Sequence, residues 1–405
     1  MRNAWMLALG VVACSPPPPN GPMGVLLDLG APRDLAGADL AGVDLAGVDF
    51  ASPFDLGCTS GTTQCGAACV NLQSDPASCG RCGHGCAGGM CAGGVCQPTT
   101  LATPAQGTQM YGIAVDGAHV FFTNRFGNGG GGNANDTGVF QLNASGAAQT
   151  PTAVATWVTP SSPAAAPFDL AVNGTNVYWT NYQGSIWKGA VGGGSAPASV
   201  YAAPDFSLYV NRLATNPAGT HLFASLDDGT PMMKRVLDCA PSCTAVYSLA
   251  SSAGRQVVSV AADGSYVYWA ESGAPGRVHR LAIGATAGTM PVDLGNGVAT
   301  PTHVAVSGAY VYWSNDVGNI YRSPIAGASP QLVVDSGYVQ DLAADGTNVY
   351  WADAGNTRLR YAPAAGGAAA DLVPAAGDPL RIALDATALY WIDKTAGSIR
   401  KIALP

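Results

Sequence analysis

A nine-residue phrase returns along this chain: NGTNVYWTN at 173–181, DGSYVYWAE from Asp263, SGAYVYWSN from Ser307 and DGTNVYWAD from Asp345. Three of the four open on an Asp-Gly or Asn-Gly pair, and all run into alternating aliphatic and aromatic residues, which is how a strand entered from a tight turn reads. A short apolar strand precedes each copy, as in FDLAV (168–172) and THVAV (302–306). A Gly-bearing turn and a third strand follow, as in GSIWKGA and GNIYRSP, and then a fourth, as in SVYAA and PQLVVD. Seven such units fill residues 98–405. That is about 44 residues each, the length of a β-propeller blade. The third unit, with HLFAS (221–225), is degenerate, and six blades is the alternative count if it is not a blade. The predicted class is all-β: a seven-bladed β-propeller preceded by a small disulfide-rich module and a disordered linker.

Strand alternation explains why the phrase recurs. Val177 and Trp179 fall on one blade face and Tyr178 on the other. Both faces of a blade meet neighbouring blades, so each ring can bury roughly 150–250 Å² and join blade to blade. The polar residue that closes the strand (Asn181, Glu271, Asn315, Asp353, Asp393) is placed to bond the turn behind it. The last unit stops at SIRKIALP, its third strand, whereas TTLATPAQ (99–106) stands as a spare strand before the first unit. Pairing the two would close the ring and leave no open edge.

The N-terminal segment predicts export. Residues 1–13 carry Arg2, then an apolar run, the shape of a signal peptide too short to span a bilayer. The VVAC ending at Cys14 resembles a bacterial lipobox, which implies cleavage before Cys14 and lipidation of its thiol, with Ser15 pointing to the outer membrane. Residues 14–57 read as a tether, first SPPPPNGP, then the stutter RDLAG, ADLAG, VDLAG. The stutter is similar to the pentapeptide-repeat family, but so few copies make about one coil, and a spacer is expected.

Residues 58–97 hold Cys58, Cys65, Cys69, Cys79, Cys82, Cys86, Cys91 and Cys96. An even set in an exported chain predicts a disulfide framework whose pairing the spacing leaves open. A zinc site from Cys79, Cys82, His84 and Cys86 is the rival arrangement. The DPxxCGxCGxxC core resembles the stigma-specific cysteine-rich family, which implies a small extracellular module. Cys239 and Cys243 predict one further local disulfide.

The YW repeats resemble the YWTD propellers of low-density-lipoprotein receptor ectodomains and, more closely, bacterial lipoprotein relatives with YWTN. The resemblance implies a propeller and a surface binding role. Strict YWTD is absent, so no receptor ligand residue carries over. Aligning the first strands exposes one polar column: Gly112, Asp169, Arg212, Ser259, His303, Asp341 and Arg381. It is expected at the channel mouth, as internal ion pairs or as a site for a polar ligand. The ends of the second strands and their turns (Asn124, Arg125, Asn181, Tyr182, Asn315, Asp316, Asp353) are expected to open on the same face. The long glycine-rich loop at 125–138 has neither a following helix nor a GK[ST] ending, so it is no phosphate cradle.

A net charge of -8 argues against nucleic acid, whose phosphates need a basic footprint. The five histidines fall in different units and form no catalytic motif. The function expected is a lipid-anchored, monomeric surface protein binding protein or carbohydrate, without cofactor or metal. The alternative is a propeller enzyme of lyase or lactonase type using Asp169, His303 and Asp341.

Overall fold

The computed structural model describes residues 58–104, 108–126, 137–156, 167–181, 184–202, 209–227, 234–239, 243–249, 256–273, 275–286, 288–295, 299–327 and 329–405. The chain divides into two units, Met1–Asp55 and Leu56–Pro405. Cys14 and the tether lie outside the described residues, as do Tyr182 and residues 127–136 of the long loop.

Seven four-stranded antiparallel sheets follow one another along residues 99–405. Their innermost strands are Thr108–Val115, Pro167–Val172, Tyr209–Thr215, Gln256–Ala262, Pro301–Ser307, Asp341–Ala344 and Pro379–Leu384, here blades 1 to 7. In the first six blades the four strands run in chain order, as consecutive hairpins dictate. Blade 7 takes its outermost strand, Thr99–Ala102, from the other end of the chain, paired antiparallel with Ser398–Ala403 (Arg400 opposite Thr100). The ring is thus closed, and the count is seven. Among the described residues the only helical turn is Ala354–Asn356.

Each interface between blades holds its own apolar cluster, and the repeated phrase supplies it. Val177 and Trp179 pack against Phe121, Val139 and Val154 of blade 1, while Tyr178 turns toward Leu213, Leu222 and Ala224 of blade 3. The same division recurs: Trp313 lies with Tyr268 of blade 4, and Tyr312 with Trp351 of blade 6. Trp179, Trp269, Trp313, Trp351 and Trp391 are all fully buried. At about 25 cal/mol per Å², each contributes roughly 4–6 kcal/mol of transfer free energy. The third unit is a full blade in which the tryptophan position is Ala224, opposite Leu213 as Trp179 is opposite Leu170. Leu222 and Leu226 fill the space on the blade 2 side.

The turn before the phrase is tied to its tyrosine. Asp345 accepts the N–H groups of Thr347 and Asn348 through Oδ1, both at 2.8 Å, and the Tyr350 hydroxyl through Oδ2 at 2.7 Å. Asp263 with Tyr268 and Asp385 with Tyr390 repeat the bond. One carboxylate therefore shapes the turn and satisfies a phenol that the blade interface would otherwise strand.

The cysteine-rich segment pairs Cys58–Cys69, Cys65–Cys82, Cys79–Cys91 and Cys86–Cys96. Its buried sulfurs join the apolar cluster formed by Tyr350, Leu389, Trp391 and Ile402 between blades 6 and 7. The His84 ring faces two carbonyl oxygens, Cys79 O at 2.8 Å from Nδ1 and Leu404 O at 2.9 Å from Nε2. The segment thus grips the end of the last blade just before the chain enters the closing strand. Sulfurs of Cys79, Cys86 and Cys96 lie within 4.8 Å of one another, but all are in disulfides. With His84 turned to carbonyls as well, this set offers zinc no thiolate.

Candidate functional site

The polar column sits on β-bulges. In blades 1 to 5 and in blade 7 the innermost strand slips register at or beside the column residue, as between Pro167 and Leu170 or between Pro379 and Ile382. A bulge bends its strand and re-aims the side chains beside it. It also leaves backbone N–H groups without a ladder partner. The neighbouring strand answers this: Thr123 Oγ1 accepts Gly112 N–H at 2.8 Å, and Thr180 Oγ1 accepts Asp169 N–H at 3.1 Å.

Around the ring the column alternates. Blades 2, 4 and 6 carry the acceptors Asp169, Ser259 and Asp341, and blades 3, 5 and 7 carry Arg212, His303 and Arg381. Each acceptor takes the N–H of the residue after the column in the next blade: Leu213 to Asp169 Oδ2 (2.8 Å), Val304 to Ser259 Oγ (3.1 Å), Ile382 to Asp341 Oδ2 (3.0 Å). These three side chains staple blade to blade. Seven positions cannot alternate all the way round, and the mismatch falls on blade 1. There Gly112 offers no side chain, since a Cβ would stand 2.8 Å from Phe168 O and 3.2 Å from Asp169 Cα.

The charges meet over the channel. Arg212 reaches Asp341 on the far side, Nη2 to Oδ1 at 3.4 Å, and lies 3.8 Å from Asp169 Oδ1. Arg381 comes only within 3.9 Å of Asp341 Oδ1. Burial pushes the Asp169 carboxyl up in spite of Arg212 and Arg381. Burial acts the same way on Asp341, but Arg212 and Arg381 overcome it and hold that carboxyl below its ordinary value. Burial, then the Arg212 charge, lowers Arg381 to about 10.

His303 turns Nδ1 toward the hydroxyls of Thr302 (3.2 Å) and Ser314 (3.3 Å). Burial, followed by the Arg212 charge, lowers its pKa from 6.5 to about 3. Between those values the unfolded chain binds a proton that the native ring refuses. The stability that the neutral imidazole contributes is therefore complete above pH 6.5 and declines as pH falls toward 3. Allowing for the partial exposure of His303, wild type should lose on the order of 2–4 kcal/mol more than His303→Gln across that window. Urea unfolding at stepped pH measures this, and parallel curves for the two proteins would contradict it.

The second-strand ends have a different place. Asn124, Asn181, Asn315 and Asp353 are at most 3% exposed. Asn181 Oδ1 accepts Ser185 N–H at 2.9 Å, and Asn315 Oδ1 accepts Asn319 N–H at 2.8 Å. Asp353 caps the Ala354–Asn356 turn and meets Arg358 at 3.3 Å. Asn181, Asn315 and Asp353 hold turns, all four residues are closed to solvent, and Asp316 is exposed.

The mouth also has a feature that alternation hides. Tyr111 and Phe168, each just before a column residue, lie with ring centroids 5.2 Å apart, and the Arg125 guanidinium stands 4.8 Å over Tyr111. Both rings are half-buried and, among the described residues, belong to no core cluster. Regular alternation places the residue before the column on the opposite face, and the register slips at Met110/Ile113 and Pro167/Leu170 break that alternation. Repeated register slips leave no local signature in sequence.

Fold and site together define a closed seven-bladed β-propeller with a buried polar ring across its channel. No family model and no curated protein matches the chain. Solved structures similar to it include a catalytically inactive virginiamycin B lyase from Staphylococcus aureus with quinupristin, at TM-score 0.56 and 13% identity over 76% of this chain and 99% of that one. BamB from Moraxella catarrhalis follows at TM-score 0.49 and 13% identity, over 73% and 83%. A nidogen/laminin complex gives TM-score 0.36 and 12% identity, over 64% and 76%. At such identities the likeness is one of fold.

Proposed function

We propose that this is an exported, lipid-anchored surface protein that presents its propeller for binding protein or carbohydrate at the channel mouth. Residues 1–13 would be the leader, Cys14 the lipidated residue, 14–57 the tether, 58–97 a stigma-like module and 98–405 the propeller. The observation that carries the binding role is the mouth itself. A buried floor of two guanidinium groups, two carboxyl groups and a neutral imidazole lies beside a half-exposed aromatic shelf. Convergent polar groups next to apolar rings are the usual make-up of a ligand site. Five disulfides among the described residues suit an oxidising compartment.

The enzyme alternative leans on His303. An imidazole held neutral down to about pH 3 is a weak base, poorly matched to proton abstraction near neutrality. Binding is therefore the favoured role.

The anchor is tested by expressing the full chain and its Cys14→Ala variant and following acyl label and membrane partition. Loss of both in the variant is expected, while an unlabelled wild type in the soluble fraction would contradict the anchor. The binding role is tested by presenting the full chain to arrays of glycans and surface proteins, with Tyr111→Ala/Phe168→Ala as the control. Signal that is indifferent to the control would move the site away from the mouth.

A further inference from the structure

The odd blade number leaves one guanidinium with a single, long ion pair. Arg212 has an acid on its own side, Asp169, and a second across the channel, Asp341. Arg381 has Asp341 at 3.9 Å in the preceding blade, and the column residue of the following blade is Gly112, which brings no acid. Its side chain is only 14% exposed, its Nε is buried without a hydrogen-bond partner, and no described residue accepts a hydrogen bond from it. A buried guanidinium in that state is costly unless something else supplies acceptor oxygens. Its planar fork fits a carboxylate through two parallel bonds.

Blade 1 packs its Gly112 against the backbone of blade 2, and the shelf lies at that contact. Tyr111 directly precedes Gly112, and Phe168 directly precedes Asp169, so the two tilted rings lie beside the one column position that lacks a side chain. Arg125 over Tyr111 adds positive charge to that same edge. The weakly paired guanidinium of blade 7 thus acts on Asp169 across the channel, beside a tilted pair of rings that joins blade 1 to blade 2.

We propose that Arg381 is the anion anchor of the mouth and that its ligand is a small cyclic carboxylate. The carboxylate meets the weakly paired guanidinium, and the ring lies on the Tyr111–Phe168 shelf. This deepens the binding role proposed above and rests on the mouth being the site. A sugar acid and an aromatic acid share this chemistry, and the experiment separates them.

The test is calorimetric or NMR titration of the full chain with galacturonate and with benzoate, each beside its uncharged counterpart, galactose or benzamide. At least one acid should bind, with its uncharged partner weaker by about tenfold or more. Arg381→Met should lose a similar factor while its melting temperature stays close to wild type, because Asp341 keeps Arg212 and the Ile382 N–H. Tyr111→Ala, at a half-exposed position, should weaken the ring contribution without touching the floor. Binding of galacturonate alone assigns a sugar acid, and binding of benzoate alone an aromatic acid. Equal binding of acid and uncharged partner, undiminished binding in Arg381→Met, or no binding of either acid would overturn the proposal. Captured glycan or protein that survives Arg381→Met would sink the carboxylate anchor and leave the surface-binding role standing.

Discussion

Leu101→Asp is expected to unfold the ring as a whole instead of loosening one strand. Leu101 is fully buried among Val120, Phe122, Tyr390 and Ile399, where blade 7 meets blade 1. A carboxylate there finds no partner, and the cost is on the order of 4 kcal/mol or more. That is comparable with the whole stability of many domains, about 5–15 kcal/mol. The closing strand also covers the otherwise open edge of Ser398–Ala403 in blade 7. Thr100→Asp is the control, because Thr100 sits in the same strand with its side chain exposed. It should change stability by no more than about 0.5 kcal/mol. Circular dichroism during urea unfolding distinguishes the two, and a Leu101→Asp protein with wild-type midpoint would contradict the closure.

Asp341→Ala should be nearly as damaging for a different reason. It removes the acceptor for the Ile382 N–H and the nearest carboxylate of both Arg212 and Arg381. Breaking one member of a buried ion pair costs about 3–5 kcal/mol, since the remaining charges stay buried without compensation. Asp341→Asn keeps a carbonyl oxygen for the staple and loses only the charge, so about half that loss is expected. The spread between the two variants separates the staple from the ion pairs. A loss below about 1 kcal/mol for Asp341→Ala would mean that the ring is dispensable to the fold.

Much of this architecture could be read before any coordinates. Period-two alternation in VYWTN assigns Trp179 and Tyr178 to opposite faces, and the clusters on either side of blade 2 place them so. The spare strand TTLATPAQ and the missing fourth strand after SIRKIALP fit one another by counting, and Arg400 does stand opposite Thr100. Blade 3 was harder. Ala224 replaces the tryptophan, and only three-dimensional packing shows Leu222 and Leu226 filling the gap.

The site was legible in one respect and hidden in another. A polar residue at the same place in each first strand reveals the column, since strand periodicity carries it to the channel. Its order, acceptor then base with a fault at Gly112, depends on which blade follows which and on the number being odd. The shelf of Tyr111 and Phe168 depends on bulges, which reverse the direction that alternation assigns. Asn181, Asn315 and Asp353 show the opposite problem. Polar residues at strand ends look solvent-facing in sequence, yet the turns they cap enclose them.

The polar ring, the shelf and the fault at blade 1 all require blade 7 to be completed by the strand from the N-terminal side. Hydrogen exchange of the full chain, read by mass spectrometry over peptides covering 99–102 and 398–403, tests this most directly. A closed wheel makes the two segments exchange together and slowly, since Thr99, Thr100 and Ala102 pair with Lys401, Arg400 and Ile399. Fast exchange at 99–102 beside a protected 398–403 would show an open edge on blade 7 and contradict the account.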